Sequence, residues 1–90
     1  MRIIWAPSAQ NERELVFQHV AFDNFEAAVR LDLSFDMSAE SLLEFPQKGR
    51  VGRLPGTREL VVHPNYILVY RIMPDGIEIA RLLHAAQRWP

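Results

Sequence analysis

The sequence predicts an α+β protein in which a helical hairpin packs on a small antiparallel sheet, with the element order β-α-α-β-β-β. Two patterns support this prediction. Residues 8–44 carry apolar side chains at helical spacing, whereas residues 57–83 are rich in β-branched and aromatic side chains and are divided by turn residues. A chain of 90 residues is short enough to form one domain, so we expect a single domain over residues 1–90.

The first predicted elements are a short strand and a helix. Residues 2–5 read as a strand that ends before Pro7. Ser8 is placed to cap a helix that runs to about Phe22, since serine is a favoured N-cap residue. The side chains of this helix expected to face the core are Ala9, Val16, Phe17 and Val20.

The second predicted helix follows after a tight turn, so that the two helices form a hairpin. Asp23 is placed to cap it, and Glu26 follows three residues later, as in a capping box. The helix is expected to end at about Glu44, before Pro46. Its main apolar face consists of Phe25, Ala28, Leu31, Phe35, Ala39, Leu42 and Leu43.

The same helix carries a second apolar stripe beside its main face. Val29, Leu33 and Met37 follow one another at four-residue spacing, outside the centre of the main face. One interpretation is a broad face that is buried in the core. The other is a groove that receives a segment of a partner protein.

The second half of the chain predicts a basic loop and three strands. Residues 47–56 are rich in glycine, proline and arginine, and residues 57–63 are β-prone. Residues 66–72 form a nearly continuous apolar run, as expected of a central strand covered on both sides. Residues 73–76 have the composition of a type I turn, and residues 77–83 form the last strand. Short connections between consecutive strands predict an antiparallel meander.

Charge is distributed unevenly along the chain, although the net charge is only −1. Residues 1–45 contain three basic and eight acidic residues, whereas residues 46–90 contain seven basic and three acidic ones. A basic half is compatible with a nucleic acid or an acidic protein partner, and equally with ordinary surface charge.

Several classes of protein are disfavoured by what the sequence lacks. There is no cysteine, no signal peptide at the amino terminus and no apolar run of the roughly 20 residues that span a bilayer, so we expect a cytoplasmic protein without a membrane partner. The glycines lack the spacing of a phosphate loop, and the three histidines are scattered. No cofactor or metal is therefore expected, nor a hydrolase of the triad, metal or two-carboxylate type.

Arginines of the second half are the candidate contacts for a target or a phosphate group. Arg58 and Arg81 lie on predicted strands, and Arg50 and Arg53 lie in the basic loop. Strand alternation predicts that Arg81 shares a face with Ile77, Ile79 and Leu83. Alternatively, it forms a structural salt bridge with Glu59 or Glu78.

Two side chains at the end of the chain have a functional and a structural interpretation. His84 ends the last strand, where it is a candidate general acid or base because its ordinary pKa lies near neutrality; a capping or packing role is the alternative. Trp89 either covers the sheet or stacks on a base.

Four segments in this order carry a family resemblance. They are Leu43-Glu44-Phe45-Pro46 with Gly49-Arg50 and Arg53; Pro55-Gly56-Thr57-Arg58-Glu59-Leu60; Tyr66-Ile67-Leu68-Val69-Tyr70-Arg71; and Ile77-Glu78-Ile79-Ala80-Arg81-Leu82-Leu83-His84-Ala85-Ala86-Gln87. Together they resemble the RelE/ParE toxins, also called the plasmid stabilisation family, over nearly the whole chain.

This resemblance implies a toxin of a type II toxin–antitoxin system, neutralised by a cognate antitoxin that wraps it in a hetero-oligomer. Val29, Leu33 and Met37 would then bind the antitoxin. The superfamily has two activities. RelE-type members cleave mRNA in the ribosome, for which Arg58, Arg81 and His84 are the catalytic candidates here. ParE-type members inhibit DNA gyrase through protein contacts, without assigned catalytic residues.

The ParE-type activity is the favoured interpretation. A ribonuclease that enters the ribosome is expected to be strongly basic, whereas this chain is slightly acidic and Lys48 is its only lysine. The loop and the carboxyl-terminal segment also look more like ParE than RelE. The basic second half and His84 keep the RelE-type mRNA interferase open as the alternative, and a non-toxic protein-interaction module is a further one.

Overall fold

The element order follows the predicted one, with one extra strand. A computed structural model describes residues 1–86, so the predicted role of Trp89 lies outside the described residues. The elements are β1 (Arg2–Trp5), α1 (Pro7–Asp23), α2 (Phe25–Glu44), β2 (Arg50–Val51), β3 (Arg58–His63), β4 (Tyr66–Met73) and β5 (Gly76–His84). The two helices pack on a five-stranded sheet with the order β1-β5-β4-β3-β2.

The sheet is mixed rather than purely antiparallel. The predicted meander of β3, β4 and β5 is confirmed, but β1 pairs with β5 in parallel. Gly76 allows this pairing, because a Cβ atom there would lie 2.3 Å from the carbonyl oxygen of Arg2. The extra strand β2 has only two residues within the basic loop, too few for an alternating pattern to reveal it.

The first helix begins two residues earlier than a cap at Ser8 would place it. Ala6 is the N-cap residue without a side-chain hydrogen bond, and Pro7 occupies the first helical position, where its fixed φ is favourable. The predicted cap at Ser8 is therefore wrong. Its hydroxyl instead donates to the carbonyl oxygen of Ala80 over 2.8 Å, which ties α1 to β5.

The second helix is capped by Asn24 and not by Asp23, which is the last residue of α1. Asn24 has an extended backbone, and its Oδ1 accepts a hydrogen bond from the amide of Ala27 over 3.0 Å. The predicted capping box, with Asp23 as the cap and Glu26 three residues later, is therefore wrong. Counted from Asn24, the third residue is Ala27, which has no side-chain carboxylate.

Replacing Asn24 with alanine is expected to lower the free energy of unfolding by about 1 kcal/mol, the usual contribution of an N-cap side chain. The matched control is Asp23→Ala, which we expect to change stability by less than about 0.5 kcal/mol. Urea denaturation of both variants measures the difference. A larger loss in Asp23→Ala would show that the cap is assigned to the wrong residue.

The core lies between the helical hairpin and one face of the sheet. Phe35 and Leu42 of α2 pack against Leu68, Tyr70 and Ile79 of the central strands. The prediction that Phe25 faces this core is wrong. Its side chain is 63% exposed, and its ring forms a T-shaped pair with that of Phe17, with ring centroids 5.9 Å apart.

An arginine joins the two helices and the first strand. The guanidinium group of Arg13 donates to the carboxylates of Asp32 over 2.6 Å and Asp36 over 2.8 Å. Its Cζ atom also lies 4.6 Å from the ring centroid of Trp5, within the range of a cation–π contact. Within residues 1–86, no helix is long and apolar enough to cross a membrane.

Candidate functional site

A β-bulge in β5 decides which way Arg81 points. Val69 of β4 pairs with Arg81, but the next residue, Tyr70, pairs with Ile79, so Ala80 is an additional residue in β5. Arg81 therefore lies on the sheet face opposite the core residue Ile79. The prediction that it shares a face with Ile77 and Ile79 is wrong.

The guanidinium group of Arg81 is held by a carboxylate from α1. Its Nε lies 3.0 and 2.9 Å from the two oxygens of Glu12, and its Nη2 lies 2.6 Å from Oε2. The hydrogen bonds that Arg81 donates to Glu12 raise the pKa of Arg81 despite its partial burial. A structural salt bridge thus forms, although with Glu12 and not with the expected Glu59 or Glu78.

Glu12 also occupies part of the edge of β5. The parallel partner β1 ends at Trp5, opposite Ile79, so the following residues of β5 have no strand on that side. There, Glu12 Oε1 accepts the amide of Leu82 over 3.0 Å. The carboxylate therefore fixes both a backbone amide and the side chain of Arg81, which is a structural role.

Arg58 is likewise engaged by the protein itself. Its Nη1 donates to the carbonyl oxygen of Gly49 over 2.7 Å and lies 3.5 Å from that of Gln47. The side chain thereby fixes the start of the basic loop to β3.

The basic loop is anchored by a buried carboxylate, that of Glu59, which the sequence suggested only as a partner for Arg81. Glu59 of β3 is 2% exposed. It accepts hydrogen bonds from Nη2 of Arg50 and from the backbone amide of Arg53, each over 3.0 Å. Burial alone would raise the pKa of Glu59, but these hydrogen bonds and the nearby positive charges outweigh burial and lower it.

A tyrosine hydroxyl anchors the first residues of the same loop. The hydroxyl of Tyr70 donates to the carbonyl oxygen of Pro46 over 2.6 Å and accepts the amide of Gly49 over 2.9 Å. Gly49 packs so closely on the ring that a Cβ atom there would lie 2.8 Å from it. Tyr70 is therefore a buried core side chain whose hydroxyl both donates and accepts a hydrogen bond.

Three strand side chains therefore hold the loop, while its own arginines face solvent. Tyr70, Arg58 and Glu59 contact successive parts of it, and Arg50 and Arg53 are exposed. The sequence signal for Glu59 was a charged residue inside a β-prone segment. The strand register that turns its side chain toward the loop could not be predicted from the sequence.

His84 lies away from these arginines. It pairs with Tyr66 in the sheet, with ring centroids 5.4 Å apart, on the face that carries Leu82 and the core. Its Nδ1 accepts the amide of Ala86 over 3.1 Å. His84 lines a cleft beside α1, whereas Arg81 lines a different cleft on the opposite sheet face.

The structure does not assemble the three ribonuclease candidates into one site. Arg58 contacts the loop, Arg81 contacts Glu12, and His84 lies on the other side of the sheet. Among residues 1–86, no group of three or more histidine or acidic side chains is placed to hold a metal ion.

The second apolar stripe of α2 is largely open to solvent. Leu33 is 55% exposed and Met37 74% exposed, whereas Val29 is half-buried. The interpretation of this stripe as part of a broad buried face is therefore wrong for Leu33 and Met37, which the described part of the chain leaves more than half exposed.

Comparisons with known proteins agree with this architecture. Residues 3–89 match the family described as the ParE toxin of the type II toxin–antitoxin system parDE. The putative toxin Y4kP of Sinorhizobium fredii is 37% identical over 90 residues, which cover 99% of this chain and 93% of that protein. The toxin RelE2 of Caulobacter vibrioides is 30% identical over 86 residues, covering 96% of this chain and 97% of that protein.

Solved structures show the same fold at lower sequence identity. A chain of the chromosomal ParDE toxin–antitoxin system from P. aeruginosa superimposes with a TM-score of 0.81 at 20% identity, covering 93% of this chain and 95% of that chain. A chain of the E. coli DinJ–YafQ complex gives a TM-score of 0.53 at 15% identity, covering 94% and 93%.

The helical hairpin on a five-stranded sheet is the α+β fold of RelE/ParE-like toxins. The chain belongs to the ParE toxin family of type II toxin–antitoxin systems.

Proposed function

We propose that this toxin inhibits DNA gyrase through protein contacts and does not cleave RNA. The observation that carries the proposal is the pairing of Arg81 with Glu12, which directs the guanidinium group to a carboxylate of the same chain. A phosphate-binding arginine must offer its donors to the substrate. The match to the ParE toxin family supports the same choice.

The basic loop is the surface that we propose for contact with gyrase. Arg50 and Arg53 are exposed there, and the loop is held by Glu59 and Tyr70 in one geometry. A loop that is ordered before binding loses less conformational entropy on binding, which favours recognition by a small protein. Arginine is also enriched among the residues that dominate protein interfaces.

The proposed neutralising partner is a cognate antitoxin bound in a hetero-oligomer. The description of the matched family as parDE and the neighbouring structures, which come from a ParDE system and a DinJ–YafQ complex, support such a partner. We place its docking site at Val29, Leu33 and Met37, where the apolar side chains of α2 are incompletely covered.

Ribosome-dependent mRNA cleavage is the second candidate function. It is favoured by the similarity to a protein named RelE2 and by the cleft on the helix-free sheet face, which Arg71 and Arg81 line. For this activity Arg81 would have to exchange Glu12 for an RNA phosphate.

Two purified assays separate these functions. We expect the protein to inhibit gyrase supercoiling and to leave ribosome-bound mRNA uncut. Arg53→Glu should weaken the inhibition by about tenfold or more, as for the loss of a charged contact at an interface. The matched control is Arg30→Glu, which makes the same change at an exposed position of α2 outside the loop.

Equal effects of Arg53→Glu and Arg30→Glu would exclude the loop as the contact surface. Specific mRNA cuts that disappear in Arg81→Ala, with unchanged circular dichroism, would overturn the gyrase proposal in favour of the ribonuclease.

A further inference from the structure

The outer face of α2 combines exposed apolar side chains with carboxylates along a single line. At 3.6 residues per turn, Glu26, Glu40 and Glu44 lie within about 20° of Leu33 around the helix axis, and Met37 lies about 40° away. All five side chains are exposed. We call these five residues the acidic face of α2.

The three glutamates of this face are not used to hold the fold. Within residues 1–86, the ion pairs of α2 are those of Asp32 and Asp36 with Arg13. No ion pair or hydrogen bond among the described residues involves the side chains of Glu26, Glu40 or Glu44. Three carboxylates beside Leu33 and Met37 therefore remain available to a partner.

We propose that the acidic face of α2 binds a cationic amphipathic helix, and that this helix is the neutralising segment of the antitoxin. The inference rests on the proposed antitoxin partner and adds the chemistry that recognises it. Leucine-like side chains would cover Leu33 and Met37, while lysine or arginine side chains would meet the glutamates.

The spacing of the carboxylates defines the partner further. Glu26 and Glu40 are separated by fourteen residues, or about 21 Å at a rise of 1.5 Å per residue. A complementary helix therefore carries two cationic side chains about four turns apart, with apolar side chains between them.

Charge complementarity selects this occupant over the alternatives. A second copy of the chain would bring two rows of glutamates together, with exposed Arg30 and with Lys48, which contacts Ser41, as the nearby cations on each. Nucleic acids and anionic lipid headgroups carry the same sign as this face and would be repelled. A positively charged protein segment is attracted and can also cover the apolar side chains.

Two designed peptides test the proposal with the full chain. Each is an 18-residue helix with leucines at helical spacing. One has lysines at positions 2 and 16, and the other has glutamates there. Fluorescence anisotropy should show at least tenfold tighter binding of the lysine peptide. That binding should weaken several-fold between 50 and 300 mM salt, because screening affects exposed charge pairs.

Charge reversal supplies the decisive variants. The double variant Glu26→Lys and Glu40→Lys should reverse the preference, so that the glutamate peptide binds more tightly. The control Glu14→Lys and Asp23→Lys makes the same change in net charge at exposed positions of α1 and should keep the original preference. Leu33→Asp should weaken binding of the lysine peptide by tenfold or more.

Two kinds of outcome contradict the proposal. If the double variant at Glu26 and Glu40 still prefers the lysine peptide, the peptide binds at another surface. If the control variant reverses the preference equally, the preference arises from net charge alone. If the protein self-associates in analytical ultracentrifugation and Leu33→Asp abolishes the self-association, the acidic face of α2 binds a second copy of the chain instead. Gyrase inhibition is measured separately, so loss of that activity with peptide selectivity intact would refute only the proposed target.

Discussion

Replacing Glu59 with alanine is expected to lower the free energy of unfolding by about 3 kcal/mol, because it removes a buried carboxylate that accepts three charge-assisted hydrogen bonds, two from Arg50 and one from the amide of Arg53. The amide of Arg53 would lose its partner, whereas Arg50 could regain water because its side chain is 56% exposed. For a domain of this size, such a loss corresponds to a fall in Tm of roughly 12–24 °C. Calorimetry and urea denaturation measure it.

The matched control for this substitution is Glu78→Ala. Glu78 is also a glutamate of a sheet strand paired with an arginine, but both it and Arg71 are about one third or more exposed. Such pairs contribute less than about 1 kcal/mol. Equal losses in Glu59→Ala and Glu78→Ala would contradict the assignment of Glu59 as the anchor of the loop.

The pH dependence of the free energy of unfolding should reveal the ionisation of Glu59. The pKa of Glu59 is lowered in the folded protein, so folding is favoured by its ionised form. The stabilisation from ionised Glu59 is complete above the ordinary glutamate pKa of about 4.3. It is lost as the pH falls through the lower pKa that Glu59 has in the folded protein. Glu59→Gln keeps the size of the side chain and should flatten that part of the stability curve. An unchanged curve would assign the acid sensitivity to other carboxylates.

Replacing Tyr70 with phenylalanine is expected to lower the free energy of unfolding by about 2 kcal/mol. The substitution keeps the ring but removes the hydroxyl that bridges Pro46 and Gly49, leaving a buried amide without its partner. Urea denaturation measures the loss, and the amide of Gly49 should exchange with solvent faster. Because the hydroxyl fixes the loop, the inhibition of gyrase that we propose should also weaken.

Tyr66→Phe provides a matched control on the same strand and sheet face. Tyr66 forms ring contacts with Phe35 and His84, but no hydrogen bond of its hydroxyl is present among the described residues. Its loss should change stability by less than about 0.5 kcal/mol. If Tyr66→Phe proved as destabilising as Tyr70→Phe, the effect would have to arise from ring packing.

The elements themselves were predictable because they depend on local patterns. Apolar spacing along the second helix and the continuous apolar run of residues 66–72 identify α2 and β4 without any tertiary information. Helix termini were harder to locate, since Asp23 and Asn24 are both good N-cap residues. The backbone conformation at Asn24 decides between them.

The candidate site was only partly predictable, because a single inserted residue changes the face of every side chain beyond it. Ala80 is such a residue, and strand alternation alone therefore put Arg81 on the wrong face. The stripe of Leu33 and Met37 was visible in the sequence, but its exposure was not, since burial depends on what packs against it.

By itself, the sequence determined the α+β class, the order of the elements and the family resemblance, because periodicity and motif order are properties of the chain. Only the tertiary structure decided the roles of its charged side chains. Arg81 meets Glu12 across 69 positions of sequence, and Glu59 meets a loop that folds back onto its strand. Such contacts depend on register and on the packing of distant elements, and they decide which arginines remain open to a target.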